Sequence, residues 1–213
     1  MSRREEMLAE MGLAPIWRLK GKSPERAKDD WIPLKAEVKG CTACGLANTR
    51  TQTVFGVGDE NADWMLIGEA PGAEEDRLGD PFVGQAGKLL DRLLAGIGLE
   101  RDQVYIANVL KCRPPNNRTP EPVEADACRP YLERQIELIQ PRLIVALGRS
   151  AASLLIGTDA TIASLRGRVH RYRGVPLIVT YHPAYLLRNL TDKAKAWEDL
   201  LLARSTVARS AAL

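Results

Sequence analysis

The 213-residue chain is long enough to bury one sizeable core, and its 45% hydrophobic and 27% charged residues exclude a disordered or fibrous protein. Its net charge of +3 is too small to indicate a nucleic-acid partner by itself. The charged N-terminus and the absence of a long apolar run predict neither a signal peptide nor a membrane span. We therefore expect a cytoplasmic protein without a membrane partner, whose four cysteines are reduced or metal-bound.

The N-terminal segment differs in pattern from the rest of the chain. Residues 1–30 are charged and weakly patterned, which predicts an N-terminal extension that is partly ordered at best. Trp17 and Trp31 are apolar anchors for which the sequence nearby offers no packing partner. Residues 31–213 show no internal repeat and are expected to form one domain.

The most unusual stretch follows an apolar strand predicted at 64–67. It is a long loop rich in glycine and proline that ends in a helix predicted at 85–97. Ordinary connections between a strand and a helix run about 2–6 residues, so a plain surface loop is the less favoured interpretation. Open α/β sheets place their binding crevice at this end of a strand. The polar and aromatic candidates in the loop are Glu69, Glu74, Glu75, Asp76 and Phe82.

The remaining elements alternate between strands and helices. Further strands are predicted at 53–58, 104–110, 143–147, 168–172 and 175–181, and further helices at 122–139, from about 150, and at 192–202. Ser150 is a usable N-cap for the helix that begins beside it. This alternation predicts an α/β fold with a mostly parallel sheet that is covered on both faces.

The cysteines come from three separate segments and sit beside Gly, Pro and Arg rather than in apolar runs; they are Cys41, Cys44, Cys112 and Cys128. Thiolates from separate segments can form a tetrahedral site for structural zinc or for an iron–sulfur cluster. The alternative is four unrelated buried cysteines that pack as small hydrophobic residues. Spacing does not separate zinc from iron–sulfur, although Arg113 and Arg129, each next to a cysteine, favour the negatively charged cluster.

Three blocks of the sequence together resemble the family 4 uracil-DNA glycosylases, the iron–sulfur branch of the uracil-DNA glycosylase superfamily. The blocks are GEAPG at 68–72 with PFVG at 81–84, Asn108 with CRPPNNR at 112–118, and HPAYLLR at 182–188. The resemblance extends over about residues 32–203. It implies a three-layer α/β sandwich with a central four-stranded parallel sheet. It also implies a 4Fe–4S cluster on the four cysteines, in a structural role.

The resemblance implies a reaction as well: hydrolysis of the N-glycosidic bond of uracil in single- or double-stranded DNA, by a monomer that starts base excision repair. A base must leave the helix stack before such chemistry can reach it. Phe82 resembles the family's stacking platform, Asn108 the amide that reads the uracil edge, and His182 the catalytic donor to uracil O2. The other expected substrate-binding residues are Gly68, Ala70 and Glu75. The structural alternatives are a core Phe82, an Asn108 that caps backbone, and a His182 that serves only a turn.

Two further roles concern water and DNA. The best-known branch of the superfamily carries an aspartate where this chain has Ala70, so we expect Glu69 to help position the water or the pocket backbone. Glu74 and Asp76 are expected to be solvated loop charges. The segment from Tyr185 to Arg188 resembles the loop that enters the minor groove. Leu186 or Leu187 would fill the space left by the base, and Arg188 would bind phosphate or base edges.

Other interpretations remain open on the sequence. A DNA damage-binding protein of the same fold, with weak or covalent-trapping activity, is motivated by Ala70. Trapping would need a loop histidine, whereas His170 is expected to be an exposed hairpin residue. A zinc-stabilised nucleotide-binding protein is disfavoured, because the chain has neither GxGxxG nor GxxxxGK[ST].

Overall fold

The structure is a computed structural model that describes residues 24–211, so the predictions for residues 1–23, Trp17 included, lie outside it. The strands are β1 (Val57–Gly58), β2 (Trp64–Gly68), β3 (Tyr105–Asn108), β4 (Leu143–Leu147), β5 (Val169–Tyr172) and β6 (Val175–Thr180). The α-helices are α1 (Pro24–Gly40), α2 (Ala73–Leu78), α3 (Gln85–Gly96), α4 (Pro122–Ile139), α5 (Arg149–Ile156), α6 (Ile162–Leu165), α7 (Pro183–Leu186) and α8 (Lys193–Ala211). Short 3₁₀ turns lie at Gly45–Asn48, Arg101–Gln103, Pro115–Asn117 and Leu190–Asp192.

The sheet has the order β1-β3-β2-β4-β6-β5. Its four central strands, β3, β2, β4 and β6, are parallel, which confirms the predicted α/β core. Antiparallel strands at both edges, β1 and β5, make the sheet six-stranded and mixed rather than four-stranded. The β5–β6 edge follows from the turn at Arg173 and Gly174, which both have positive φ, the backbone that two-residue hairpin turns require.

Helices cover both faces of the sheet. One face packs α1, α4 and α5 against the inward side chains of the strands, and the other packs α3 and α8. The central strands are buried on both sides, as expected for a parallel sheet between helices. The chain is therefore a three-layer sandwich, in agreement with the predicted fold class.

Several local predictions differ from the structure. The acidic run after Gly72 forms α2 rather than a loop. Asp76 on this helix is buried, and both its carboxylate oxygens accept from the backbone amide of Thr51, at 2.9 and 3.0 Å. The prediction that Asp76 is a solvated charge was wrong. Gly148, not Ser150, is the N-cap of α5. The last helix continues to Ala211.

The predicted start of the domain falls within α1, which crosses residue 30. Trp31 on this helix is buried, with its ring 5.8 Å from that of Phe55 and 5.6 Å from that of Tyr105. The anchor that seemed isolated in the sequence thus has partners that come from distant segments. Within residues 24–211, no helix is both long and apolar enough to cross a lipid bilayer.

Candidate active site

The predicted site residues converge at the carboxyl edge of the parallel strands. Gly68 ends β2 and Asn108 ends β3, and the two are register partners, while His182 comes two residues after β6. Asn108 and His182 line a cavity of about 530 Å³, a usual size for a ligand pocket. The residues lining it are Glu69, Ala70, Pro71, Gly72, Glu75, Phe82, Ala86, Asn108, Pro114, Asn117, Arg118, His182, Ala184 and Arg188.

Gly68 allows the amide and the aromatic ring to approach each other. A Cβ at this position would lie 2.3 Å from Asn108 Oδ1 and 2.8 Å from Phe82 Cζ, both too close for real atoms. Asn108 is almost fully buried and lines the cavity from the paired end of β3. Gly68 and Ala70 serve this site by being small.

Phe82 is held in an uncommon backbone conformation, with φ at +53°. The carboxylate of Glu75 fastens its loop by accepting from the backbone amides of Val83 at 3.1 Å and Gly84 at 3.4 Å. The Phe82 ring stacks with the ring of His182, with centroids 5.5 Å apart and planes 30° apart. The ring therefore forms a wall of the cavity, and Glu75 acts through the loop that carries it.

The imidazole of His182 has a defined orientation. Its Nδ1 accepts a hydrogen bond from the backbone amide of Ala184 at 3.1 Å. Burial lowers the pKa of His182 to about 4; the carboxylate of Glu75 opposes this shift and the charge of Arg188 adds to it. The ring is therefore neutral near pH 7, with its proton on Nε2.

Glu69 brings a carboxyl group to the same cavity. Its side chain is half-buried and hydrogen-bonds the side chain of Ser150. Burial raises the pKa of the Glu69 carboxyl above its usual value, and the bond to Ser150 partly opposes the shift. Ala70 beside it offers no group that could hold water.

The segment after His182 contains both predicted leucines, but only one of them is accessible. Leu186 is 0% exposed and packs against Tyr181 and Ala196, so of the two candidate leucines it is not the one available to a ligand. Leu187 is 42% exposed and Arg188, also exposed, lines the cavity.

Two stacked tyrosine rings hold the segment that follows His182. The rings of Tyr185 and Tyr181 lie 5.1 Å apart and nearly parallel, and the Tyr185 hydroxyl donates to Asp192 at 2.7 Å. Leu187 therefore projects from a braced turn rather than from a loose loop.

The loop after Cys112 contributes residues that the sequence did not assign to the pocket. Pro114, Asn117 and Arg118 line the cavity opposite α7. Arg118 donates to both carboxylate oxygens of the buried Glu124, at 2.8 and 2.6 Å, which ties the loop to α4. The available signal in the sequence was the group of basic residues Lys111, Arg113 and Arg118, a pattern that is also typical of a solvated surface.

The four cysteines line one small cavity between α1, the Gly45–Asn48 turn and α4. Hydrogen-bond donors approach three of the sulfurs: Arg50 Nη1 at 3.1 Å from Cys112, and backbone amides at 3.5 Å from Cys41 and from Cys128. Among the described residues, no three Cys, His, Asp or Glu side chains are arranged to hold a single metal ion. The four sulfurs therefore share one cavity, and three of them lie beside hydrogen-bond donors, as thiolate ligands of a metal group would.

His170 lies away from the pocket-lining residues. It is half-buried on β5, and its Nε2 lies 2.7 Å from the carbonyl oxygen of Leu165. It is thus engaged with its own chain rather than exposed on the hairpin.

Known proteins are similar in sequence to this chain over most of its length. The family model of the uracil DNA glycosylase superfamily matches residues 55–201. A type-4 uracil-DNA glycosylase from Archaeoglobus fulgidus is 49% identical over 71% of this chain and 80% of its own length. One from Thermotoga maritima is 47% identical over 82% of this chain and 93% of its own. A type-5 uracil-DNA glycosylase from Pyrobaculum aerophilum is 37% identical over 61% of this chain. The chain therefore belongs to the uracil-DNA glycosylase superfamily and, within it, to the type-4 family.

Proposed function

We propose that this chain hydrolyses the N-glycosidic bond that joins uracil to deoxyribose in DNA, and so leaves an abasic site for repair. The observation that carries the proposal is the convergence of Phe82, Asn108 and His182 on one cavity at the sheet edge. Its type-4 relatives bear the name of this activity. The substrate is uracil-containing DNA, and the protein binds it as a monomer.

Recognition uses the ring and the amide. A uracil extruded from DNA enters the cavity and stacks on Phe82, while the Asn108 amide pairs with its edge. An amide presents a donor and an acceptor side by side, which match uracil O4 and N3–H. Cytosine carries an amino group and an unprotonated nitrogen at those places, so the same amide mismatches it.

Bond cleavage depends on His182. As the bond between C1′ and N1 breaks, its electron pair moves to the base and negative charge builds on uracil O2, while the sugar becomes oxocarbenium-like. The Nε2–H of the neutral imidazole donates to that oxygen, and a preset donor of this kind is worth about 3–4 kcal/mol of transition-state stabilisation. A water molecule then supplies hydroxide to C1′, and its proton passes to Glu69 or to solvent.

Glu69 is assigned a supporting part. It is the pocket carboxylate whose side chain hydrogen-bonds Ser150, so it is placed to orient the water or the loop around it. Because Ala70 provides no carboxylate, most of the rate is assigned to stabilisation of the leaving base.

Leu187 and Arg188 are assigned to DNA. Leu187 is the exposed apolar side chain on the braced turn beside the cavity, so it fills the gap left by the extruded base. Arg188 lines the cavity mouth, where a flanking phosphate would lie.

The cofactor assigned to Cys41, Cys44, Cys112 and Cys128 is a 4Fe–4S cluster, supported by the cavity they share and by the donors to their sulfurs. When bound, the cluster would join three chain segments through metal–thiolate bonds, a structural contribution. Purified protein should be brown, absorb visible light and contain about four irons per chain. A colourless protein with one zinc per chain would refute this assignment.

Release of free uracil from a single-stranded oligonucleotide tests the activity. Wild-type protein should release uracil, and His182→Ala and Asn108→Ala should lose most of the rate while they keep the fold. Binding of the oligonucleotide without any release would instead favour a damage-binding protein, the alternative that Ala70 motivates. If Glu69→Gln alone leaves the rate unchanged, the part assigned to Glu69 is wrong.

A further inference from the structure

Lys111 is a buried lysine without a role in the reaction described above. It is 1% exposed, and it lies three residues after Asn108. A lysine is almost never this buried unless hydrogen bonds satisfy its terminal nitrogen, because burial removes the water that would otherwise solvate that group. Its contacts therefore indicate what holds it there.

The first contact of Lys111 is with the main chain of the base-reading residue. Its Nζ donates to the carbonyl oxygen of Asn108 at 2.8 Å. A second bond from the same nitrogen goes to Gln135 Oε1 at 2.7 Å. Gln135 is itself anchored, since its Nε2 donates to the Phe55 carbonyl at 2.9 Å and contacts the Tyr105 hydroxyl at 3.3 Å.

The sheet explains why Asn108 needs this donor. Alternate residues of a strand direct their backbone groups to opposite neighbours, and Val109 turns its amide to Gly68 on β2. The backbone groups of Asn108 therefore face the other side, where β1 pairs only with Tyr105 and Ile106. The Asn108 carbonyl lies past the end of β1 among buried residues, and Lys111 Nζ donates the hydrogen bond that a longer strand would have supplied.

We propose that Lys111 is a positioning residue for base recognition. Its terminal nitrogen holds the Asn108 main chain in the position from which the side-chain amide meets the base. This rests on the proposed function, in which Asn108 reads the uracil edge. The tolerance is small, because Asn108 Oδ1 fills the space beside Gly68, where a Cβ would lie only 2.3 Å from it. A shift of the end of β3 would displace the Asn108 amide relative to the base that it recognises.

The test measures discrimination between bases, which a merely structural lysine would not alter. Lys111→Met keeps a similar unbranched shape and removes the donor. Binding is measured with oligonucleotides that carry a 2′-fluorinated deoxyuridine or deoxycytidine, because the fluorine makes the N-glycosidic bond resist cleavage. The ratio of the two affinities should fall about 10- to 100-fold, the range expected for losing a charged hydrogen bond.

Gln135→Met is the matched control. It removes the other partner of the same ammonium group from an equally buried position, so it should lower the thermal midpoint but keep the affinity ratio of wild-type protein. Iron content is measured for each variant, because the backbone amide of Lys111 also contacts the sulfur of Cys128. If Lys111→Met does not fold, Lys111→Gln, a shorter donor, is judged by the same ratio.

The outcomes separate the two proposals. A wild-type ratio in the folded Lys111 variant, or an equal fall in the Gln135 control, would overturn the positioning role. Wild-type protein that binds both oligonucleotides equally would instead refute the base-reading part of the proposed function.

Discussion

The backbone amide of Ala184 donates to Nδ1 of His182 at 3.1 Å, across the single turn that starts α7. Pro183 between them has no N–H, so Ala184 supplies the nearest amide. A ring nitrogen that accepts carries no proton, which leaves the proton of the neutral imidazole on Nε2. The His-Pro-Ala order thus sets both the orientation of the ring and the nitrogen that donates.

The pH dependence of uracil release should reflect a neutral histidine. Because burial lowers the pKa of His182 to about 4, protonation of this ring should not reduce the rate until the pH falls below about 5. The check is single-turnover release from a single-stranded oligonucleotide across that range. An acid limb near the ordinary histidine value of about 6.5 that disappears in His182→Ala would contradict a neutral donor.

The same pKa has a consequence for stability. The pKa of His182 is lower in the fold than in the unfolded chain, so between about 6.5 and about 4 the unfolded chain binds more protons. The contribution of His182 to the free energy of unfolding should therefore fall as the pH is lowered through this window and stay constant below it. Denaturant midpoints of wild type and His182→Gln, compared at both ends of the window, measure it. Parallel pH profiles for the two proteins would contradict the shifted pKa.

Phe82→Ala should weaken binding of uracil-containing DNA. Stacking of a base on an aromatic ring is worth about 1–3 kcal/mol, so affinity should fall about 5- to 150-fold. Binding to the 2′-fluorinated deoxyuridine oligonucleotide measures the change. Phe55, the other phenylalanine of the chain, packs on Trp31 rather than in the cavity, so Phe55→Ala should lower stability but not affinity. Equal losses of affinity in both variants would argue against a stacking wall at Phe82.

Leu187 and Leu186 are neighbours with opposite expected effects. Leu187→Ala should slow uracil release from double-stranded DNA more than from single-stranded DNA and leave the thermal midpoint unchanged, because the side chain is exposed. Leu186→Ala should instead destabilise the fold by about 2–5 kcal/mol, the usual cost of truncating a buried leucine. Release rates on both substrates and unfolding curves separate the two. A strand-dependent defect in Leu186→Ala but not in Leu187→Ala would reverse the assignment.

Gly68→Ala should nearly abolish uracil release. The added methyl group would overlap Asn108 Oδ1 and Phe82 Cζ, and a displacement of about 1 Å at a catalytic site can cost about 100-fold in rate. Gly40→Ala is the control, because a Cβ there meets no atom within 4 Å. Release rates and circular dichroism of both variants check the prediction, and a fully active Gly68→Ala would show that the amide and the ring do not need this close approach.

Much of the architecture could be read from local patterns. Buried parallel strands appear as short apolar runs, and α4 covers the range 122–139 that its apolar spacing predicts, because these signals depend on neighbours in the chain. The edge strands were less visible. β1 has only two residues, and its pairing with β3 depends on a contact with residues far along the chain.

By itself, the sequence determined the α/β class and the approximate positions of the central strands, because apolar spacing carries that information. The candidate residues Gly68, Phe82, Asn108 and His182 came from the resemblance of their motifs to a known family. Only the tertiary structure decided which side chains are accessible and which are partnered. Adjacent leucines separated into a buried Leu186 and an exposed Leu187, and Asp76 and Lys111 proved to be buried and hydrogen-bonded. Burial and the partners of buried polar groups come from segments distant in the chain, so no local pattern encodes them.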